Sequence, residues 1–322
     1  MSNYKVVLLE DRYASHGYER RVLEAIGAEV IEGSGASSPG EILALCGDAD
    51  AILVNLAPLS AETISGLARC KVIARYGVGF DNVDIQAAAR KGIFVLNVPD
   101  YCLEDVSDQA FALLMACVRK TSLRDRQVRS GQWNIGTKDP MFRIAGKVFG
   151  LAGYGSIPKV LHRKLKGFDL KRVLVYDPFV PEEVIREAGG EKVDFGDLLS
   201  RSDFLSCHVP LGEKTRHLFN AAAFAKMKPG AIFINTSRGG LVDTQALYEA
   251  LKNGHLNSAG LDVHETEPVP PNYSLFGLDN VVLSDHTGWY SEEAQVELQT
   301  KAAQGVADVL TGKPPRNAVN KP

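Results

Sequence analysis

The sequence predicts an α/β protein made of two doubly wound domains, and three observations predict it. Short apolar runs alternate with helix-period segments through the first hundred residues. A second such series opens near residue 147. A glycine turn joins the first strand of that second series to a helix. At 322 residues the chain has room for about two domains of common size.

In the first series, KVVLLE (5–10), AILVN (51–55), KVIAR (71–75) and IFVLN (93–97) read as buried parallel strands. Unbroken apolar runs of this length suit a sheet covered on both faces. Apolar residues at helical spacing between them predict helices over 18–26, 40–46, 61–68 and 84–91. A long helix is expected over 103–130. The later strands are expected at 203–209, 231–236, 258–263 and 280–285, with a proline-rich loop at 268–273. A last helix, 291–310, carries Val296, Ala303, Val306 and Val309, enough to dock on a neighbour. No solenoid repeat or low-complexity tract is visible.

Composition excludes several classes. A 45% hydrophobic and 23% charged chain is that of a globular protein, and a net charge of −3 gives no bulk attraction to nucleic acid or anionic membrane. The basic cluster from Arg119 to Arg129 reads as a solvated helix face. Five scattered cysteines (Cys46, Cys70, Cys102, Cys117, Cys207) without a CxxC pair predict reduced thiols, no disulfide frame and no metal site. No apolar run approaches the roughly 20 residues of a membrane span. The N-terminus enters a strand rather than a signal sequence, so a cytoplasmic location is expected.

Residues 147–178 say most about function. Val148, Phe149, Leu151 and Ala152 lead into Gly153-Tyr154-Gly155; a helical stretch follows, then Val173 to Tyr176, ending on Asp177. Glycines let a backbone approach a pyrophosphate, and a helix N-terminus offers free N–H groups and positive potential. Asp177 stands 24 residues after Gly153, close to the ~20-residue offset of a carboxylate that binds an adenosine ribose. The third glycine position holds Pro158, which the first turn of a helix tolerates but which puts cofactor affinity in question.

Ligands of such sheets sit outside the carboxyl ends of the strands, so chemistry is expected in the loops there, in a cleft between the two sheets. Val78-Gly79 follows 71–75, Arg238 follows 231–236, Glu267 follows 258–263 and His286 follows 280–285. A guanidinium at a strand tip binds a carboxylate with two parallel bonds and polarises a neighbouring carbonyl. Histidine exchanges protons near neutral pH, and a carboxylate beside it stabilises the imidazolium. Glu265 competes with Glu267, and His264 with His286.

These residues carry a resemblance. Tyr-Gly-Val-Gly-Phe-Asp-Asn-Val-Asp (76–84), the glycine fingerprint, His-Val-Pro-Leu (208–211), Asn-Thr-Ser-Arg-Gly-Gly-Leu-Val-Asp (235–243) and Leu-Asp-Val-His-Glu-Thr-Glu-Pro (261–268) match, in order, the motifs of the D-isomer-specific 2-hydroxyacid dehydrogenases. The resemblance covers nearly the whole chain. It implies a Rossmann NAD-binding domain over 101–290, inserted in a flavodoxin-like substrate domain made of 1–100 and 291–322. It implies a catalytic set of Arg238, Glu267 and His286.

It further implies that NAD is bordered by Gly153, Tyr154, Gly155, Ser156 and Ile157, by His208, Val209, Pro210 and Thr215, and by Thr236, Ser237 and Arg238. Asp262, His286 and Gly288 complete that border, and Asp177 selects NAD over NADP. The substrate, a small 2-oxo or 2-hydroxy acid, is expected at Arg75, Val78, Gly79, Arg238, His286 and Trp289. Trp289 packs either on the substrate side chain or in the core. A homodimer built on the nucleotide domain is expected, with no nucleic-acid or membrane partner.

The ending His286-Thr-Gly-Trp-Tyr-Ser-Glu-Glu, with Asn97-Val-Pro-Asp-Tyr-Cys and Asp105-Val-Ser-Asp, most resembles the C-terminal-binding-protein-like branch. Phosphoglycerate dehydrogenases usually follow this histidine with Gly-Gly-Ser/Thr, and formate dehydrogenases carry glutamine where Glu267 stands. Ser284-Asp285 replaces the usual proline and puts an extra carboxylate beside His286. Two alternatives accompany the dehydrogenase reading: an NAD-responsive, partner-binding regulator, and a phosphite dehydrogenase.

Overall fold

The computed structural model describes residues 3–10, 12–33, 35–133 and 140–322. The chain divides into two compact units, one of residues 1–102 and 291–322, the other of residues 103–290.

The first unit carries strands β1 (Tyr4–Leu9), β2 (Ala28–Glu32), β3 (Ala51–Val54), β4 (Val72–Arg75) and β5 (Phe94–Leu96). They form one parallel sheet in the order β2-β1-β3-β4-β5, the flavodoxin-like winding. Strands β1 and β3 are almost wholly buried. β2 lies outside the expected set. It is an edge strand in which Glu29 and Glu32 face solvent, so it lacks the unbroken apolar run that betrays a central strand.

The last helix, Glu292–Leu310, belongs to this unit, and Ser291 caps it by accepting from the Ala294 N–H at 3.0 Å. Its docking face is Leu298, Ala302, Ala303, Val306 and Leu310. Ala303 and Val306 are buried as expected, whereas Val296 and Val309 are only partly buried.

The second unit carries β6 (Val148–Ala152), β7 (Arg172–Tyr176), β8 (Glu191–Lys192), β9 (Phe204–Cys207), β10 (Ala231–Asn235), β11 (Leu256–Leu261) and β12 (Val281–Leu283). All pair in parallel, in the order β12-β11-β10-β9-β6-β7-β8. This is the Rossmann winding with one added edge strand, and the order reverses between β6 and β9. β8, two polar residues at the far edge, offers no apolar signal. Phe219, Phe224 and Phe233 pack ring to ring on one side of the sheet. Leu113, Leu151, Leu161 and Ile234 fill the other.

The expected single helix over 103–130 is two helices, Leu103–Arg119 and Thr121–Arg129. Lys120 between them is left-handed (φ 53°), which ends the first helix. Only Leu123 of the second is buried; Arg126 and Arg129 are exposed and Arg124 is half-buried. All five cysteines are buried free thiols. Among the described residues, no helix is long and apolar enough to cross a membrane.

Candidate active site

Six strand tips of the second unit are stitched into one rim. At the tip of β6, Gly153 (φ 91°) donates its N–H to Tyr176 O at 2.8 Å. A Cβ there would lie 2.7 Å from His208 O, so only glycine lets the β6 turn sit against the β9 loop. Tyr154 N–H donates to Asp177 Oδ2 at 2.8 Å, and Phe179 and Val180 N–H groups donate to Oδ1. The carboxylate at the tip of β7 is thus held in place by backbone donors beside the glycine turn. Gly155 opens the helix Ser156–Leu165, and a Cβ on it would meet nothing within 4 Å. Pro158 is buried in that first turn, where a missing N–H loses no intrahelical bond. It leaves the amides of Ser156 and Ile157 at the helix start. Tyr154 OH reaches the buried His162 Nδ1 at 2.7 Å, and burial pushes that imidazole down.

The β9 loop continues the rim. Burial holds the His208 imidazole down at about 3, so it is neutral at physiological pH; its Nε2 lies 2.8 Å from Ser206 Oγ. Thr215 Oγ donates to Pro210 O and accepts from Gly212 N–H, both at 2.8 Å, closing the 210–215 loop upon itself. Ser237 Oγ donates to Val209 O at 2.6 Å, joining the β9 and β10 tips. Asn235 then shapes the β10 loop: its Oδ1 accepts from Ser237 N–H and its Nδ2 donates to Arg238 O. The Arg238 Nη1 donates to Ser237 O at 2.8 Å. Thr236 is buried, and its Oγ1 has no hydrogen-bond partner among the described residues.

A Cβ on Gly239 would lie 1.9 Å from the carbonyl of His264, so the loop bearing Arg238 packs directly on the loop bearing Glu267. Here the competitors separate. Glu265 turns away, to His217 Nε2 at 2.6 Å and Thr244 N–H at 3.3 Å. His264 is held by Ser284 O and Tyr273 OH. Glu267 Oε1 accepts from His264 N–H at 2.8 Å, and Oε2 lies 2.6 Å from His286 Nδ1. Burial pushes the Glu267 carboxyl up, but the bonds from His286 and His264 outweigh it and hold the group below its ordinary value. A carboxylate can only accept, so Nδ1 carries the proton and Nε2 is the nitrogen left for chemistry.

His286 itself is left-handed (φ 60°), a strained state for a residue with a Cβ. Asp262 maintains it. The Asp262 carbonyl accepts from His286 N–H (2.8 Å), and its carboxylate accepts from Thr287 N–H (3.2 Å) and Gly288 N–H (2.9 Å). Ser284 Oγ and Gln109 Nε2 complete the set at 2.6 and 3.3 Å. A Cβ on Gly288 would lie 2.7 Å from the Asp262 carboxylate, so glycine is required there. Asp285 binds Thr287 Oγ1 at 2.9 Å, and half-buried Trp289 packs edge-on against exposed Tyr290. Gln109 and Ser206 lay outside the sequence expectation. Gln109 sits on the helix Leu103–Arg119, where a glutamine carries no signal of a distant partner.

Arg75, Val78 and Gly79 belong to the first unit. Three successive carbonyls after β4 are tied down: Tyr76 O to Arg75 Nη1 (2.6 Å), Gly77 O to Val98 N–H (2.9 Å) and Val78 O to Asn97 Nδ2 (2.7 Å). In a trans peptide the next N–H points the opposite way, so the amides of Gly77, Val78 and Gly79 face away from those anchors.

A Rossmann sheet with a glycine turn, a strand-tip aspartate and an adjacent Glu–His pair defines a dinucleotide-dependent dehydrogenase. Residues 111–288 match the family model "D-isomer specific 2-hydroxyacid dehydrogenase, NAD binding domain". A glyoxylate reductase of Korarchaeum cryptofilum is 40% identical over 85% of this chain and 83% of its own length. A D-3-phosphoglycerate dehydrogenase of Methanocaldococcus jannaschii is 38% identical over 94% of this chain, which spans only 57% of that relative. The D-lactate dehydrogenase of Aquifex aeolicus, solved with NAD and lactic acid, superposes with a TM-score of 0.85 at 25% identity, covering 95% of this chain and 96% of that one.

The chain belongs to the D-isomer-specific 2-hydroxyacid dehydrogenase family. It is an NAD-dependent oxidoreductase of D-2-hydroxy acids. The rim fits that cofactor: it has a glycine turn with open space at Gly155, the helix-start amides of Ser156 and Ile157, and a buried hydroxyl at Thr236 without a partner among the described residues.

Proposed function

We propose that the protein reduces a small 2-oxo acid, such as glyoxylate, to the D-2-hydroxy acid, with Arg238, Glu267 and His286 as its catalytic residues. The observation that carries this reading is the 2.6 Å Glu267–His286 contact on the same rim as the glycine turn. The 40% identical glyoxylate reductase supports the choice of a short substrate.

When bound, NADH would supply the hydride at this rim. Asp177 binds the adenosine ribose, where a 2′-phosphate would be repelled, so NAD is favoured over NADP. Ser156 and Ile157 amides receive the pyrophosphate, and Thr236 donates its hydroxyl to the cofactor. The remaining rim residues, Tyr154, His208 to Pro210, Thr215, Ser237, Asp262 and Gly288, shape the cofactor's bed.

The Val78 and Gly79 amides, with Arg75 nearby, hold the substrate carboxylate. Arg238 polarises the C2 carbonyl. His286, protonated, donates from Nε2 to the developing alkoxide, while Glu267 holds Nδ1–H and stabilises the charged ring. In the reverse direction, neutral His286 takes the hydroxyl proton. Trp289 borders the substrate's side chain. A homodimer on the nucleotide unit fits the exposed Val128, Trp133, Met141 and Phe142, and sedimentation tests it.

The decisive assay is NADH and NADPH oxidation with glyoxylate, hydroxypyruvate, pyruvate and phenylpyruvate, and NAD⁺ reduction with phosphite. Turnover of a short 2-oxo acid with NADH is expected. Tight NADH binding without turnover of any of them would favour a regulator of the C-terminal-binding-protein type instead.

A further inference from the structure

The first unit buries a carboxylate that the reaction just described does not use. Glu19, on the helix Gly17–Glu24, is fully inaccessible to solvent. Tyr76 OH donates to its Oε1 at 2.9 Å, His16 Nδ1 lies 3.2 Å from the same oxygen, and Gln299 Nε2 contacts both oxygens at 3.0 and 2.9 Å. Gln299 is itself buried on the last helix and also donates to Ser15 O at 2.8 Å. Tyr13 packs edge-on against Tyr76, with ring centroids 5.4 Å apart.

A buried carboxylate is an expensive way to join two helices, because apolar side chains of similar size do so without desolvating a charge. What distinguishes this one is where its donors lie. Tyr76 is the first residue after β4 and opens the Tyr76-Gly77-Val78-Gly79 turn. Its amide N–H is bonded to Val54 O at 2.9 Å, and its carbonyl to Arg75. With the hydroxyl also fixed by Glu19, Tyr76 is held at both backbone ends and at its side-chain tip. The Gly77 and Val78 carbonyls are anchored to Val98 and Asn97, and the bond from Tyr76 OH to Glu19 ties the start of the same turn to the interior.

We infer that Glu19 is a positioning residue for substrate binding: through Tyr76 OH it fixes the direction of the Val78 and Gly79 amides. This rests on reading those amides as the seat of the substrate carboxylate. Glu19 does not meet substrate; it acts from beneath the turn, and His16 and Gln299 hold its carboxylate in the orientation that accepts Tyr76.

Steady-state kinetics with glyoxylate and NADH test this in Tyr76→Phe, which deletes one oxygen and keeps the ring, and in Glu19→Gln, which keeps the shape. Each variant is expected to raise KM for glyoxylate about tenfold, the worth of one hydrogen bond to a charged group. kcat should stay within about twofold and NADH affinity should not change, since neither group meets the reacting atoms. A merely structural role would lower Tm and the active fraction but leave KM alone. An unchanged KM in folded Tyr76→Phe overturns the inference, and that variant decides the matter even if Glu19→Gln does not fold. Gly79→Pro, which removes one amide donor, separates the two claims. If it raises KM while Tyr76→Phe does not, Glu19 is rejected and the carboxylate seat stands. If Gly79→Pro folds and leaves KM unchanged, the seat itself is rejected.

Discussion

In the second unit, loops at six strand tips are tied to one another by backbone amides and short side chains. In the first unit, the turn after β4 hangs from a buried carboxylate on a helix. The Asp262 carboxylate and the Glu19 carboxylate do comparable work: each takes several donors and sets the direction of a neighbouring turn. Asp262, however, lies at a strand end within a run of family motif, and Glu19 lies on an amphipathic helix face. The comparison teaches that rims made from strand ends advertise themselves in sequence, whereas support from beneath a turn does not.

The largest effects that would break this picture are at His286 and Arg238. His286→Ala and Arg238→Ala are each expected to lower kcat/KM for a 2-oxo acid by roughly a hundred- to ten-thousandfold while NADH still binds. An unchanged kcat/KM in either variant removes that residue from the reaction.

Glu267→Gln comes next, with an expected loss of about ten- to a hundredfold. It also carries a pH signature. The folded Glu267 carboxyl is held below its ordinary value of 4.5. Its stabilising contact is therefore complete above about pH 4.5 and is lost as pH falls through the lower folded value. The native enzyme should keep its reduction of a 2-oxo acid down to that lower range, and Glu267→Gln should lack the acid limb of that reaction. Superimposable pH profiles would contradict the pairing.

A smaller effect sharpens the cofactor side. Thr236→Val removes a buried hydroxyl that has no partner among the described residues. It should leave Tm unchanged or higher while raising the NADH Kd by about five- to tenfold. A fall in Tm with unaltered Kd would mean that the hydroxyl serves the fold. A separate effect, on stability rather than on binding, is expected at His208. Its imidazole is held neutral by burial, with a folded value near 3 against an ordinary 6.5. Stability should therefore decline as pH falls from 6.5 toward 3, and His208→Gln should flatten that decline in a Tm–pH series.

Central strands were legible because continuous apolar runs such as Ala51–Val54 have no other use in a chain of this length. The edge strands β2 and β8 were not, since half-exposed or two-residue strands carry no such run. Nor was the break at Lys120, because lysine has no intrinsic bias toward a left-handed backbone. The proximity of Glu267 to His286 could be read because both follow strands that end on one edge of a parallel sheet. The release of Glu265 to His217 and of His264 to Ser284 could not, because side-chain direction within a loop depends on hydrogen bonds made after folding. Gln109 and Glu19 stayed hidden because their partners lie 153 and 280 residues away.

The most direct test is a single-turnover measurement: excess enzyme carrying NADH is mixed with glyoxylate, and nicotinamide absorbance is followed in the native protein and in His286→Ala. Rapid oxidation of NADH by the native enzyme, slowed at least a hundredfold in the variant at equal NADH occupancy, is the expected result. Equal rates in the two proteins would contradict it.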